Sequence, residues 1–271
     1  MNPSIVRIGP LEIHAFTAWM AIGIVIGFGI ILATASARQE RITPWFDCAL
    51  GALVGGVIGA RLGHVWLNWA YFSAHTDQIA DLSNGGLDWH GAIALGLVFA
   101  FGVALVRHVP FWQLSDALAL ALPIGAIFVW IACASAPSAY GLEVPTLADF
   151  PSWLVTESPD IYSNVAPRLN LLPPGIVLAA LVLLIVLVLM VLQRLSRLRL
   201  WLVIALYAVG LGVIDLFRAD YAPIWLGHRA DQILDLGVAM VAILIFGLSG
   251  LRLLLRNRSH VVQMAAEGMS K

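Results

Sequence analysis

Seven long apolar runs decide what this chain can become. They fall at about 14–37, 45–70, 89–107, 111–136, 173–193, 198–217 and 231–255. A helix rises 1.5 Å per residue, so about 20 mostly apolar residues cover the roughly 30 Å hydrocarbon core of a bilayer. Within that core every backbone N–H and C=O must be satisfied by the protein itself, which a helix does alone. Each run is therefore predicted to be a transmembrane helix, with the fourth open to division near Pro123. Composition agrees. Of 271 residues, 61% are hydrophobic and 11% charged, against about 25% charged in an average soluble domain. Too little polar surface is available for a soluble globular domain, and the hydrophobicity excludes a disordered chain. With 15 basic residues against 16 acidic ones, there is no basic surface for nucleic acid. The expected architecture is all-α, one polytopic domain over 1–271. The first ten residues lack the apolar core of a cleavable leader, so the first run is expected to remain as a span.

Orientation follows from the connections. One set of loops carries Arg38, Arg41, Arg107, Arg194, Arg197, Arg199, Arg252, Arg256, Arg258 and Lys271; the other carries Arg7, Arg168, Arg218 and Arg229. Cytoplasmic loops are the basic ones. The N-terminus is thus expected outside and the C-terminus in the cytoplasm, which an odd number of spans requires. Two polar segments, 71–88 and 137–172, then fall outside, and the longer is expected to form a small extracytoplasmic head without regular pattern.

Several features read as packing. Gly51, Gly55, Gly59 and Gly63 recur every fourth residue, on one helical face where a neighbouring backbone can approach. Gly23 and Gly27 suggest the same on the first span. Trp45, Trp66, Trp69, Trp112, Trp201 and Trp225 lie near span ends and suit interfacial belts. Cys48 and Cys133 make neither a disulfide framework nor a metal cluster, and no metal or cofactor is expected.

Ionisable groups at membrane depth carry more information, because a charge in hydrocarbon costs at least ~3 kcal/mol. Arg61 and His64 lie late in the second span, and His90 opens the third. Asp116 lies early in the fourth, Asp215 ends the sixth beside Arg218, and Asp231 and Asp235 share a face of the seventh. They are expected either to pair into one network tying helices together, or to line a polar cavity open to the outer leaflet. A retinal pigment is excluded, since the sole lysine is Lys271. No His-Glu-x-x-His or Gly-x-Ser-x-Gly is present, and no repeated half marks a transporter.

Six motifs in chain order resemble those of bacterial prolipoprotein diacylglyceryl transferases. Ile8-Gly9-Pro10-Leu11-Glu12-Ile13-His14 is similar to the family's opening. Gly59-Ala60-Arg61-Leu62-Gly63-His64 resembles its second-span Gly-Gly-Arg motif, and Gly85-Gly86-Leu87-Asp88-Trp89-His90-Gly91 resembles its histidine signature. Gln113, Ser115, Asp116, Ala119, Pro123 and Gly125 follow its fourth span. Asp215-x-x-Arg218 resembles Glu-x-x-Arg, and Gln232-Ile233-Leu234 part of Gly-Gln-Ile-Leu-Ser.

The resemblance implies an enzyme of the bacterial cytoplasmic membrane that moves diacylglycerol from phosphatidylglycerol to the lipobox cysteine of a preprolipoprotein. It makes His90 the candidate base for the thiol, whose ordinary pKa near 8.5 calls for deprotonation. It makes Arg61 and Arg218 the candidate ligands of the lipid phosphate, with His14, His64, Asp116, Asp215, Asp231 and Gln232 as a supporting polar network. The chain also departs from the family pattern. Trp130 and Leu211 stand where arginines are expected, and Asn170-Leu171-Leu172-Pro173-Pro174-Gly175 replaces a His-Pro-x-Gln-x-Tyr-Glu motif. Two functions are therefore carried forward: a divergent transferase, and a non-catalytic homologue serving as a subunit of a larger membrane complex. The departures tilt the expectation towards the second.

Overall fold

The computed structural model describes residues 4–8, 11–82, 85–136, 138–160 and 162–269. Gly9, Pro10, Asn84, Pro137 and Lys271, which figured in the sequence motifs and loops, lie outside them. An antiparallel pair, β1 (Ser4–Ile8) and β2 (Leu11–His14), leads into α1 (Ala15–Ala37). Helix α2 (Ile42–Leu67) is followed by the single turn α3 (Trp69–Phe72), then by α4 (Trp89–Arg107) and α5 (Phe111–Cys133). Strands β3 (Val155–Pro159) and β4 (Val165–Leu169) precede α6 (Leu172–Val191) and α7 (Arg199–Ile214). A 3-10 turn, Asp215–Phe217, extends α7, and the short pair β5 (Ile224–Trp225) and β6 (His228–Arg229) leads into α8 (Ala230–Met269). Seven of these helices are long and apolar enough to cross a membrane, and the chain is a multi-pass membrane protein.

The expected class and span count are found, with local differences. The second span runs from Ile42 to Leu67 rather than over 45–70. It ends where Asn68 folds its side-chain amide back onto the His64 carbonyl at 2.9 Å, a local bond that competes with helix continuation. Pro123 does not divide the fourth span; its ring is fully buried inside a continuous α5. The 137–172 segment is not patternless. Val155 to Pro159 pair in register with Leu169 to Val165, a hairpin whose two prolines and mixed polarity hide its alternation. Trp45 does not join an interfacial belt: it is 1% exposed and donates from Nε1 to Glu40 Oε2 at 2.9 Å.

Burial explains the arrangement. Trp45, Leu114, Val186 and Leu200 interlock in a central core with Ala35, Ala104 and Ala119, small residues that let helices lie close. On the outward faces Val25, Val106, Val191 and Met240 are largely exposed. Such a surface would drive association in water, and in hydrocarbon it needs no cover. The glycine face of α2 packs against α4 as the spacing predicts. A Cβ at Gly59 would strike the Gly91 carbonyl, and one at Gly91 would strike Gly59. On α1 the pattern holds by half: a Cβ at Gly23 would sit 2.7 Å from Phe128 Cβ, whereas Gly27 faces open space.

Because successive spans run in opposite directions, the connections separate into two ends. One, the hairpin end, collects the three strand pairs and the links before α4, α6 and α8. The other carries Arg38, Arg41, Arg107, Arg194, Arg197 and Arg199 and is the arginine end.

Candidate functional site

At the hairpin end, Asp88 and His90 are set by the first turn of α4. Asp88 caps the helix, its backbone extended at φ −105 and ψ 130, and its Oδ1 accepts from the Gly91 N–H at 2.8 Å. Its own N–H reaches across to the Ala60 carbonyl of α2 at 2.9 Å, a reach made possible by the close Gly59–Gly91 contact. That leaves Asp88 Oδ2 facing His90 Nδ1 at 2.9 Å. From the opposite side Asp235, on α8, places Oδ1 at 2.9 Å from His90 Nε2. His90 is 7% exposed and Asp235 is 1% exposed. A neutral imidazole has one N–H and one acceptor nitrogen. Two carboxyl partners therefore require a further proton in the cluster, on the ring or on a carboxyl. While both bonds stand, neither ring nitrogen is open to an incoming thiol.

Arg61 is 8% exposed and directs four hydrogen bonds into the chain that precedes α4. It donates to the carbonyls of Gln78 at 2.6 Å, Ile79 at 2.7 Å, Gly85 at 2.8 Å and Gly86 at 3.1 Å. Its guanidinium also lies 5.2 Å from the Phe72 ring centre. Gly85 and Gly86 adopt φ of +75 and +78, which their lack of a Cβ permits. His64 stacks edge-on with Phe72 at 5.8 Å and has no bond to His90.

Arg218 directly follows the 3-10 turn that extends α7. It donates to Asp220 at 2.9 and 2.6 Å and to Asp215 at 3.0 Å, with Asp231 at 3.6 Å. Arg229 bridges the same group, to Asp231 at 2.8 Å and Asp220 at 3.2 Å. Burial works against the Arg218 charge, but the bond to Asp220 and the nearby Asp215 and Asp231 outweigh it and raise its pKa further. For Arg229, burial is likewise outweighed, here by Asp231 first. The group is acid-rich: Asp88, Asp215, Asp220, Asp231 and Asp235 face Arg218, Arg229 and His90.

The residues expected to act together are thus only partly brought together. Asp215, Asp231 and Arg218 share one network, and Gln232 joins it through its backbone N–H to Asp231 at 3.1 Å. Asp116 does not belong here. It lies at the arginine end, buried against Arg199 at 3.2 Å, because α5 runs in the opposite sense to α4. His14 precedes α1 at the hairpin end, and its Nδ1 is buried without a partner among the described residues. Asp220 and Arg229 belong to the network although sequence reading assigned them no role; their only signal was alternating charge between two spans. Asp88 and Asp235 were legible as a helix cap and as a carboxyl at membrane depth, but not as partners of one histidine.

Beside this network sits an apolar one. Trp130, Leu171, Leu211 and Ile214 pack together, with Trp89 and Tyr207 against them. Trp130 Nε1 donates to the Tyr207 hydroxyl at 3.1 Å, and its indole covers Gly175, where any Cβ would collide with it. Trp89 joins the two regions, its ring 4.3 Å from that of His90 and 6.2 Å from that of Tyr207.

Comparison with known proteins places this geometry in context. The family profile described as prolipoprotein diacylglyceryl transferase matches residues 3–248. A phosphatidylglycerol–prolipoprotein diacylglyceryl transferase of Symbiobacterium thermophilum is 30% identical over 266 residues, 90% of this chain and 91% of that protein. Its namesake in Acaryochloris marina is 34% identical over 124 residues, 46% of this chain and 45% of that protein. In Lactobacillus gasseri the namesake is 30% identical over 119 residues, 44% and 43%. The match thus spans somewhat under half the length of the last two relatives and nearly all of the first.

Proposed function

Because the chain belongs to the prolipoprotein diacylglyceryl transferase family, we propose that it is a phospholipid-contacting member that does not sustain the family's transfer reaction. One observation carries this reading: Trp130 and Leu211, at two positions where the resemblance expects arginines, are buried in one apolar cluster with Leu171 and Ile214. Two cations that would stabilise a phosphate are absent together, and losing one such donor typically costs 10²–10³ in rate. The remaining candidates support the same reading. Arg61 is spent on loop carbonyls, and Arg218 sits among Asp215, Asp220 and Asp231, which repel an anionic headgroup. In this reading the protein lies in the bacterial cytoplasmic membrane with its N-terminus outside, and works as a subunit of a larger membrane assembly. Purification in mild detergent is then expected to recover stoichiometric protein partners.

A second reading is a working divergent transferase, favoured by the Asp88–His90–Asp235 arrangement. Phosphatidylglycerol would be the donor and a preprolipoprotein lipobox cysteine the acceptor. Asp88 would orient the ring, and Nε2, once released by Asp235, would take the thiol proton as sulfur attacks the glyceryl carbon and glycerol phosphate leaves. One assay separates the two. Purified protein is incubated with labelled phosphatidylglycerol and a lipobox peptide, beside a His90→Ala control. No label above the control is expected; His90-dependent product would overturn the first reading and establish the second.

A further inference from the structure

At the arginine end a groove of about 380 Å³ opens between α4, α5 and α7, lined by Phe101, Phe111, Trp112, Ser115, Arg197 and Trp201. Four of the six are aromatic, and the one cation is Arg197. The Arg197 guanidinium lies 5.1 Å from the Trp112 ring centre, and the Arg38 guanidinium lies 6.0 Å from the same ring. Both arginines are exposed, so two positive charges converge on one indole beside an apolar groove. The nearby carboxyl, Asp116, is buried and paired with Arg199 at 3.2 Å; it also attracts Arg38 and accepts from the Arg197 backbone N–H, which helps to hold both arginines beside the groove. Backbone geometry adds to the picture. In the link between α6 and α7, Gln193, Leu195 and Arg197 hold left-handed φ of 52, 52 and 76, a conformation disfavoured for residues with a Cβ. This link turns Arg197 back over Trp112 rather than outward.

We propose that this groove binds a phospholipid with an anionic headgroup: one acyl chain lies along Phe101, Phe111 and Trp201, and the phosphate sits between Arg38 and Arg197. The chemistry is complementary throughout. Aromatic walls at the depth of a headgroup region suit the glycerol and upper acyl carbons, and two exposed guanidiniums beside them suit a phosphodiester. The site lies at the opposite end from His90 and is independent of whether that cluster turns over.

The test is native mass spectrometry of the full-length chain in neutral detergent, titrated with phosphatidylglycerol, phosphatidylcholine or glycerol phosphate. Arg38→Gln with Arg197→Gln is expected to weaken the binding of one phosphatidylglycerol about tenfold, leaving phosphatidylcholine unchanged. Trp112→Leu, which keeps both charges, is expected to weaken the same binding step. Arg41→Gln with Arg107→Gln removes equal charge at a separate pocket that shares no lining residue with the groove, and is expected to leave binding intact. Equal loss in both charge variants would reduce the effect to general attraction and overturn the site. Unchanged binding in the Arg38/Arg197 variant would overturn it too, and so would competition by glycerol phosphate at the same concentration as the lipid.

Discussion

His90 is held on both ring nitrogens by carboxyl groups from different helices, Asp88 capping α4 and Asp235 on α8. A buried charged pair is costly to assemble but more costly to break from one side, typically by about 3–5 kcal/mol. Asp235→Asn is therefore expected to destabilise by roughly 3 kcal/mol, read as a lower thermal unfolding midpoint in detergent. His90→Ala with Asp235→Asn is expected to cost clearly less than the sum of the single changes, since each removes the other's need. Additive losses would show that the two side chains do not interact. Sequence reading placed His90 at the mouth of its span and saw a carboxyl at Asp235. It could not pair them, because 145 residues separate the two and only tertiary packing joins them.

At the scale of elements, the contact between α2 and α4 sets where Asp88, His90 and Arg61 stand. Gly59 and Gly91 meet backbone to backbone, and this approach lets Asp88 bond Ala60. A Gly59→Val change is expected to push the helices apart, abolish the Asp88–Ala60 bond and lower the yield of folded protein severalfold. Fluorescence-detected size exclusion would read that yield, and a wild-type profile would refute the packing role. The spacing of four announced this face in the sequence, since period and size suffice to place it. The described parts of the link before α4, 76–82 and 85–86, were not legible in the same way. They are shaped by Arg61 gathering four carbonyls, and a cation's choice of internal over external acceptors is a matter of which groups lie within reach. Likewise β3 and β4 pair through backbone bonds that their mixed side chains do not advertise.

For the whole molecule, the asymmetry of charge predicts how it sits in the membrane. Arg38, Arg41, Arg107, Arg194, Arg197 and Arg199 gather at one end, where cytoplasmic lipid and the positive-inside preference would hold them. A fluorescent protein fused after residue 271 is expected to glow, and alkaline phosphatase fused there to be inactive. The reverse pattern would invert the orientation. The hairpin end differs in kind: its charges are internally paired and acid-rich, and an apolar cluster that includes Trp130 and Leu211 lies beside them.

The number of the spans and their approximate places followed from the sequence, because hydrocarbon tolerates only self-satisfied helices and the apolar runs are long enough to form them. So did the α2 glycine face and the scarcity of charge that picks out Arg61, His90, Asp215 and Arg218. The tertiary structure alone decided what those charges do. Direction reversal sent Asp116 to the opposite end, Arg61 turned inward to its own loop, and Asp235 closed on His90. It also placed Trp130 and Leu211, 81 residues apart in the chain, in one buried apolar cluster. A residue's type fixes the partners it can take, but which partner lies within 3 Å is settled only when distant helices pack.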